Sequence, residues 1–438
     1  MIKNINLYPD TVVGAIKPLH GVNNGPVTCH FSFDSTDAFQ DAGIPFGRTH
    51  DTEYPFGAGE FVDIHCVFPD FDKDADDPAS YNFVFTDEYL KAMTSAGTKP
   101  FYRLGATIEH QPIKRYIFPP KSFEKWAKIC SHIIAHYNEG WANGYHMGIE
   151  YWEIWNEPDI PQCWQGTQDE MFELYKTASV ILKKEHPCIR IGGIALTSAN
   201  SGMLEPFVRF VAENALPLDF LSWHCYCNEP EQMKKHILRA ESLLRRYGLK
   251  NVESICDEWN YVVDWEDLGP SKALQKTAFS AAFMASVICT AQHEPVDKLL
   301  FYDAQIIPGE GWNNLFSPLP VKVHAAARGV KREKPYYVLY AWNELFKAGS
   351  EIKTEADEKL YTAAAKDKQG NLYMLVSYYD DRGTNNTFVP EEIEIRLNAE
   401  KAQVYPIDED VPFEPYEADG GVFRLRGNRC ALVKIPKD

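Results

Sequence analysis

Short apolar runs alternate with segments of helical periodicity along most of the chain. After Ser122, which is suited to cap a first turn, the apolar positions Phe123, Trp126, Cys130 and Ile133 recur at the spacing of an amphipathic helix. Further helices are predicted over residues 86–96, 169–185, 201–213, 233–247, 271–293 and 335–346, and strands over residues 45–49, 99–104, 149–155, 189–194, 220–223, 252–256 and 298–302. The first strand of this series is expected near residues 12–18. The alternation indicates an α/β fold with a parallel sheet and predicts a (β/α)8 TIM barrel.

The predicted secondary structure changes after about residue 347, where short strands replace the strand–helix alternation. Strands are predicted over residues 360–365, 372–379, 392–397, 402–405, 421–425 and 430–435, and the pairs Gly370-Asn371, Arg382-Gly383 and Gly420-Gly421 mark turns between some of them. We therefore predict an appended β-sandwich over residues 347–438, joined by residues 1–9 and packed on a barrel of residues 10–346. The 438 residues accommodate both, since such a barrel needs about 250.

Composition narrows the classes of partner. The formal charge of -18 disfavours a nucleic-acid partner, because phosphate binding needs clustered cations. No run approaches the ~20 apolar residues of a membrane span, and the N-terminus lacks the apolar stretch of a signal peptide. The ten cysteines are scattered and not arranged as a disulfide framework, which favours reduced thiols and a cytoplasmic location. A trimmed signal peptide would instead imply a secreted or periplasmic protein.

Two carboxylates follow predicted strands in matching aromatic contexts. Glu157 lies in Trp155-Asn156-Glu157-Pro158, and Glu258 lies in Asp257-Glu258-Trp259-Asn260. Side chains at the C-terminal ends of barrel strands form the catalytic face of such enzymes. A pair of carboxylates there is the machinery of retaining glycoside hydrolysis, so we assign Glu157 as the acid/base and Glu258 as the nucleophile. The alternative for either residue alone is a cap on the following helix.

Residues beside the two carboxylates suit a sugar site. Asn156 is placed to hold the sugar 2-hydroxyl, and Asp51 to reach another hydroxyl. Among the tryptophans, Trp312 is the preferred stacking platform because it lies in a Gly-rich loop after the last barrel strand; the other candidates are Trp164, Trp259 and Trp265. Carbohydrate is therefore the expected partner.

Strand periodicity assigns two further acidic residues to faces of the barrel wall. Glu153 shares a strand face with Glu157 and is expected to hydrogen-bond deeper in the barrel. Asp257 is expected on the face opposite Glu258, away from the chemistry.

A metal site is the rival interpretation. The run His224-Cys225-Tyr226-Cys227 contains soft ligands, but it lacks the second Cys or His pair that closed zinc sites usually show. The acidic run over residues 70–77 lacks the Gly and terminal Glu of an EF-hand loop. We expect no metal and no cofactor.

The two glutamate motifs resemble those of the clan A glycoside hydrolases, and the chain is most similar to glycoside hydrolase family 39, the β-xylosidase and α-L-iduronidase family. Gly47-Arg48-Thr49-His50-Asp51 is similar to its Arg-x-His motif, Trp223-His224-Cys225-Tyr226 to its His-x-Tyr motif, and Lys334-Pro335-Tyr336-Tyr337 to the opening of its last helix. The resemblance implies a (β/α)8 barrel with a β-sandwich, no cofactor, and double displacement with retention.

The resemblance also implies roles for individual residues. Tyr226 would hydrogen-bond Glu258, and His224 would contact the sugar or the acid/base. Arg48 and His50 would line the sugar site, with a buried structural ion pair as the alternative for Arg48.

Departures from the family pattern lie where specificity is set, in residues 302–312 and in the long segment over residues 55–81. The long loops after strands 2 and 8 favour a pocket and exo action. We expect cleavage of a terminal β-xyloside-like sugar. The alternatives are an α-L-arabinosidase, a β-galactosidase, an iduronidase-like enzyme with basic residues such as Arg115 at the pocket, or a silent glycan-binding barrel.

Overall fold

Eight parallel strands form a closed barrel in the computed structural model, which describes residues 1–26, 33–52, 60–306, 312, 314–319, 328–381 and 392–437. The chain begins with a long strand, β1 (Ile2–Ala15), that lies outside the barrel. The barrel strands are β2 (Gly21–Asn23), β4 (Phe46–Arg48), β5 (Lys99–Leu104), β6 (Tyr151–Ile154), β7 (Arg190–Leu196), β8 (Phe220–Cys227), β9 (Glu253–Tyr261) and β10 (Lys298–Phe301), and β10 closes the barrel on β2. A small sheet is formed by β3 (Phe33–Asp34), β11 (Phe316–Pro318) and β12 (Arg328–Arg332).

Helices cover the outside of the barrel, and some of them begin at a residue whose side chain caps the first turn. They are α1 (Thr36–Ala42), α2 (Ile64–Val67), α3 (Val84–Ser95), α4 (Phe123–Asn138), α5 (Gln168–Glu185), α6 (Leu204–Glu213), α7 (Pro230–Arg246), α8 (Gly269–Leu274), α9 (Ala278–Gln292) and α10 (Tyr336–Ala348). The Ser122 side chain accepts from the Lys125 amide at the start of α4, and Thr167 forms a reciprocal capping box with Glu170 at the start of α5. No helix of the described chain is long and apolar enough to cross a membrane.

Two sequence predictions about these elements are wrong. The first barrel strand is Gly21–Asn23, and residues 12–15 belong to β1, which pairs with the appended β module. The helix expected over residues 271–293 is two helices, since α8 ends at Leu274 and Thr277 caps a new helix by accepting from the Ser280 amide. A three-residue strand in an apolar barrel carries too few alternating positions to be recognised from the sequence.

The β module is one nine-stranded sheet with its own core. Its strands after β1 are β13 (Ser350–Ala356), β14 (Leu360–Lys366), β15 (Leu372–Tyr378), β16 (Glu392–Leu397), β17 (Lys401–Ile407), β18 (Tyr416–Asp419), β19 (Val422–Arg426) and β20 (Arg429–Ile435), in the order β18-β17-β20-β15-β14-β13-β1-β16-β19. Residues from both ends of the sheet, Val404 and Phe423 among them, share one buried cluster, so the sheet curls around it. The predicted combination of a TIM barrel with an appended β module is confirmed.

The β module packs on the barrel helices and reaches the catalytic face. Ser377 donates to the Ala282 carbonyl of α9 at 2.8 Å. Tyr261, at the end of β9, donates to Asp381 at 2.9 Å, and Tyr379 donates to the Asn228 carbonyl at 2.7 Å. These contacts tie the loops after β8 and β9 to the second module.

The barrel interior is layered by the two-residue period of its strands. Near the N-terminal ends of the strands, Phe46, Phe101, Tyr151, Phe220, Ile255 and Leu300 form a closed apolar layer. Two residues further along three of these strands lie Arg48, Glu153 and Asp257, all fully buried. The next positions open at the mouth of the barrel. The barrel interior therefore consists of an apolar layer, a charged layer above it, and the open mouth at the C-terminal ends of the strands.

Candidate active site

Glu157 and Glu258 face each other across the mouth of the barrel, with His224 between them. One side-chain donor atom from each of the three residues lies within 4.8 Å of the other two. His224 Nδ1 is 2.8 Å from Glu157 Oε1 and 3.6 Å from Glu258 Oε2. Their strands, β6, β8 and β9, come together only in the closed barrel, which brings Glu157 and His224, 67 positions apart, into direct contact.

Glu258 is held on both carboxylate oxygens. Tyr226 donates its hydroxyl to Glu258 Oε2 at 2.8 Å, and Arg48 donates to Oε1 at 2.7 Å. His50 Nε2 lies 3.5 Å from the same Oε1. Two charge-assisted hydrogen bonds fix the direction in which this carboxylate points. It is almost fully buried, so few water molecules solvate it.

Glu157 lies just beyond the end of its strand on a sharply turned backbone. Strand β6 ends at Ile154, and both Trp155 (φ 70°) and Glu157 (φ 44°) adopt left-handed conformations that non-glycine residues rarely take. The Glu157 amide donates to the Ala195 carbonyl at 2.8 Å, which anchors the turn to β7. The turn points the carboxylate across the mouth, where it is partly exposed, whereas a regular strand would direct it along the wall.

Cys163 completes the surroundings of Glu157, and sequence reasoning missed it. Its Sγ lies 3.8 Å from Glu157 Oε2, on the carboxylate oxygen that His224 does not contact. Burial, reinforced by the charge of Glu157, raises the pKa of the Cys163 thiol well above its usual value, so it remains a protonated donor. Only the folded path of the loop after β6 brings the thiol here.

Asp257 faces the interior, and the prediction that it lies away from Glu258 is wrong. Trp223 pairs with Cys256, yet the next residue, His224, pairs with Glu258, so β9 carries one extra residue at Asp257. This β-bulge turns both Asp257 and Glu258 inward. Asp257 Oδ2 lies 3.0 Å from Arg48 Nε, and its Oδ1 lies 3.6 Å from His224 Nε2.

Arg48 is the centre of the buried charged layer. Besides Glu258 and Asp257, it donates to Glu153 Oε2 at 2.7 Å, to Asn156 Oδ1 at 2.7 Å and to Asn23 Oδ1 at 3.1 Å. Both interpretations of Arg48 made from the sequence, an active-site residue and a buried ion pair, describe the same guanidinium. The contact also orients Asn156, because its carbonyl oxygen accepts from Arg48 while its amide nitrogen donates to Cys163 Sγ at 4.0 Å and keeps a second N–H.

Burial and neighbouring charges together raise the pKa values of both Glu258 and His224. Burial raises the pKa of Glu258. The positive charges of His224 and Arg48 oppose this rise without cancelling it, and the negative charges of Glu157 and Asp257 add to it. Burial lowers the pKa of His224, but the carboxylates of Glu258 and Asp257 outweigh it and hold the pKa well above its usual value. The imidazolium thus lies between the two glutamates.

Asp51 and His50 extend the site from Glu258 to the ends of β4 and β10. His50 Nε2 lies 3.1 Å from Asp51 Oδ1, and Tyr302 donates its hydroxyl to Asp51 Oδ2 at 2.7 Å. Burial, with the nearby charge of Glu258, raises the pKa of Asp51 to about 7. The same burial and the adjacent Arg48 and Arg103 lower the pKa of His50 well below its usual value, which leaves a neutral ring. Tyr302 is a departure from the family pattern, and its contact with Asp51 places it in the site.

Of the four tryptophans considered as stacking platforms, two lie in the protein core and two at the mouth of the barrel. Trp164 and Trp259 are buried in the packing around the barrel. Trp312 lies at the mouth, with its ring centroid 5.6 Å from that of Tyr226, and Trp265 lies 5.0 Å from Tyr226. Trp265 is 58% exposed, so its face is available to a ligand. Gly309 to Gly311, the rest of the predicted stacking loop, lie outside the described residues.

Among the described residues, Glu157, His224 and Glu258 are the one group of three His, Cys, Asp or Glu side chains close enough together to share a cation. Their donor atoms already contact one another, Arg48 or Tyr226. The Cys225 and Cys227 thiols are buried but do not belong to this group. Chemically, the arrangement offers two opposed carboxylates with separate donors, one more exposed than the other.

The chain matches a protein family and several known proteins. The family model described as glycosyl hydrolases family 39 matches residues 27–302. A β-xylosidase of Geobacillus stearothermophilus is 23% identical over 267 residues, which are 54% of this chain and 51% of that protein. A β-xylosidase of Caldicellulosiruptor saccharolyticus is 31% identical over 162 residues, which are 34% of this chain and 31% of that protein. The aligned segment thus spans at most about half the length of these curated relatives.

Among solved structures, a glucosidase from Croceicoccus marinus matches with a TM-score of 0.77 at 18% identity, over the whole of both chains. At this identity the likeness shows the shared fold: a barrel with an appended β module.

Proposed function

Because this chain belongs to glycosyl hydrolases family 39, and is therefore a glycosidase, we propose that it is a retaining, exo-acting enzyme that removes a terminal β-xyloside-like sugar by double displacement. One observation carries the proposal: oxygens of Glu157 and Glu258 lie within 4.8 Å of each other. Retaining enzymes hold their carboxyl groups about 5–5.5 Å apart, whereas inverting enzymes leave about 6.5–9.5 Å for a water molecule.

In the first half-reaction, Glu157 donates its proton to the glycosidic oxygen while Glu258 attacks the anomeric carbon. The bond to the leaving group breaks, an alcohol departs, and the sugar becomes an ester of Glu258. Arg48 and Tyr226 stabilise the Glu258 carboxylate beforehand and hold it in the attacking orientation. The second N–H of the Asn156 amide, which the contact with Cys163 does not use, is suited to donate to the sugar 2-hydroxyl.

In the second half-reaction, Glu157 accepts a proton from water as the water attacks the anomeric carbon. The ester breaks, Glu258 is restored as a carboxylate, and the sugar leaves with its original configuration. His224, which contacts both glutamates, stabilises negative charge as it moves from one carboxylate to the other.

The choice of sugar rests on the relatives and on the shape of the mouth. Both curated relatives are β-xylosidases, which supports a β-xyloside-like sugar. Trp265 and Trp312 beside Tyr226 form an aromatic wall at the mouth, which favours binding of the end of a sugar chain.

The test is release of 4-nitrophenol from a panel of nitrophenyl glycosides, including β-D-xyloside, β-D-glucoside, β-D-galactoside and α-L-arabinofuranoside. Wild type is compared with Glu258→Ala and Glu157→Ala. We expect turnover of the β-xyloside, loss of at least a thousandfold in Glu258→Ala, and rescue of that variant by azide as a glycosyl azide of inverted configuration.

The response of Glu157→Ala to azide distinguishes the acid/base from the nucleophile. Azide is expected to rescue that variant with retained configuration, because the glycosyl-enzyme still forms. If the initial product of the wild type has inverted configuration, the double-displacement mechanism is wrong. If no glycoside of the panel is cleaved, the exo-glycosidase assignment on simple glycosides is wrong.

A further inference from the structure

A second cleft opens beside the catalytic carboxylates, and we propose that it binds a second sugar residue attached to the sugar at the catalytic centre. The cleft has a volume of about 740 Å³, within the roughly 300–1,000 Å³ typical of small-molecule sites. The inference rests on the proposed function and deepens it: the terminal unit that leaves would be a disaccharide or a sugar-substituted sugar.

The cleft shares Asp51 and Tyr302 with the catalytic site, because both residues line it. The Tyr302 ring also lies 6.4 Å from that of Tyr226, whose hydroxyl contacts Glu258. A ligand in the cleft therefore adjoins a sugar over the nucleophile.

The order of contacts shows on which side of the catalytic centre the cleft lies. His50 Nε2 contacts both Asp51 and Glu258, while His224 contacts Glu258 and Glu157. Asp51 thus adjoins the Oε1 side of the Glu258 carboxylate, whereas Glu157 adjoins its Oε2 side through His224. Because the leaving group must be close to the acid/base, the unit in the cleft belongs to the glycone.

The outer wall of the cleft carries an aromatic platform. Tyr116 stacks on His65, with ring centroids 3.7 Å apart and planes within 4° of parallel. Tyr116 remains 50% exposed, so its other face is free for a ligand. Burial lowers the pKa of His65, which favours a neutral ring beneath the platform. A large flat apolar face with polar groups around it is the surface that suits a sugar ring.

The loop that carries the platform is held in place from within. The Glu109 carboxylate accepts from the amides of Arg115 and Tyr116, and the Glu109 amide donates to the Gln162 carbonyl at 2.9 Å. Asp63 accepts from the Thr107 amide at 2.7 Å and from Arg103 at the start of the loop. A wall fixed by backbone contacts does not need to be ordered by the ligand, which lowers the cost of binding.

The polar lining suits a neutral sugar. Carboxylates line the cleft at Asp51 and Glu60, and donors line it at His110, Gln111 and Arg115. Opposed acceptors and donors match sugar hydroxyls, which both donate and accept. The carboxylates disfavour a polyanion despite the single arginine. We therefore assign a neutral sugar and not a uronate.

Binding of free sugars tests the cleft without requiring turnover. Affinities are measured by calorimetry in the Glu157→Ala background, so that the disaccharides are not hydrolysed, for three pairs: xylose and xylobiose, glucose and cellobiose, and arabinose and α-1,5-arabinobiose. At least one disaccharide is expected to bind ten times more tightly than its monosaccharide. Tyr116→Ala should remove most of that gain and leave monosaccharide binding within twofold. The backbone contacts of the loop do not involve the Tyr116 side chain, and a melting curve checks the fold.

Tyr416→Ala is the matched control, since Tyr416 is 42% exposed on the β module. Arg115→Ala provides a second variant in the same cleft. Equal affinities within every pair, or a disaccharide preference that Tyr116→Ala and Arg115→Ala leave intact, would overturn the proposal. With the 4-nitrophenyl glycosides of the preferred pair, release of the intact disaccharide is expected. If the monosaccharide glycoside is cleaved while no disaccharide is preferred, the cleft proposal fails and the proposed function stands.

Discussion

Arg48 Nη1 lies 2.7 Å from Glu258 Oε1, and the same guanidinium contacts Glu153 and Asp257. One cation therefore supports both the nucleophile and the charged layer beneath it. Burial lowers the pKa of Arg48, but the three carboxylates raise it by more than burial lowers it, so the guanidinium stays charged. Stability and reactivity thus both depend on this one side chain, so a substitution of Arg48 is expected to lower both.

Replacing Arg48 with Met should destabilise the fold by about 3–5 kcal/mol, because it leaves buried carboxylates without a counter-charge. Activity should fall at least a hundredfold in the protein that remains folded, since Glu258 and Asn156 lose an orienting donor. Denaturant unfolding and glycoside turnover check the two effects. The control is Arg190→Met, which removes partly exposed ion pairs to Glu150 and Glu253 and should cost about 1 kcal/mol or less. Equal losses in both variants would contradict the role of burial.

Replacing Tyr226 with Phe should move the acidic limb of the pH profile of kcat/KM upward by about one pH unit. The Tyr226 hydroxyl donates to the charged form of Glu258, so its loss raises the pKa of a carboxylate that burial already raises. The nucleophile must be ionised, so the limb follows its pKa. Tyr151→Phe is the control, since that hydroxyl donates to Glu253 outside the site. An acidic limb that stays in place would show that it does not report Glu258.

Much of the layering of the barrel was predictable from the sequence, but the site was only partly so. The two-residue period correctly directs Glu153 inward, two positions beyond Tyr151. The same period fails at Glu258, because the bulge at Asp257 adds a residue that no local pattern announces. Bulges depend on how neighbouring strands pair, which is a property of the closed sheet.

The contacts that loops make could not be predicted from the sequence either, because they too depend on how distant segments come together in the folded protein. Cys163 reaches Glu157, six positions earlier, only because the loop after β6 folds back over the carboxylate. The cleft at Tyr116 is formed when the loop after β5 meets residues after β4 and β10. Resemblance to a family supplies the residues that match its motifs, whereas chain-specific loops have no motif to match.

Replacing Asp51 with Asn should stabilise the protein increasingly as the pH rises from 5 to 8. The folded-state pKa is about 7 and the ordinary value is 3.8, so the folded state binds more protons in this window and wild-type stability falls as the pH rises. Above the window the cost is constant. Asn keeps an acceptor for Tyr302 but carries no charge. We expect a gain of about 1–3 kcal/mol at pH 8 and a smaller one at pH 5, from denaturant unfolding. Asp10→Asn, at an exposed position, should show no such trend.

Replacing Cys163 with Ala should weaken acid catalysis selectively. The thiol is a weak donor to Glu157 Oε2, so its loss is worth about 0.5–1 kcal/mol, or roughly two- to fivefold in rate. The effect should be largest for glycosides with poor leaving groups, such as phenyl glycosides, which need protonation by Glu157. It should be nearly absent for 2,4-dinitrophenyl glycosides, which do not. Cys163→Ser should restore the rate, because its hydroxyl also donates. The control Cys289→Ala removes a buried thiol outside the site. A loss that is the same for good and poor leaving groups would mean that Cys163 only packs the loop and does not position the acid.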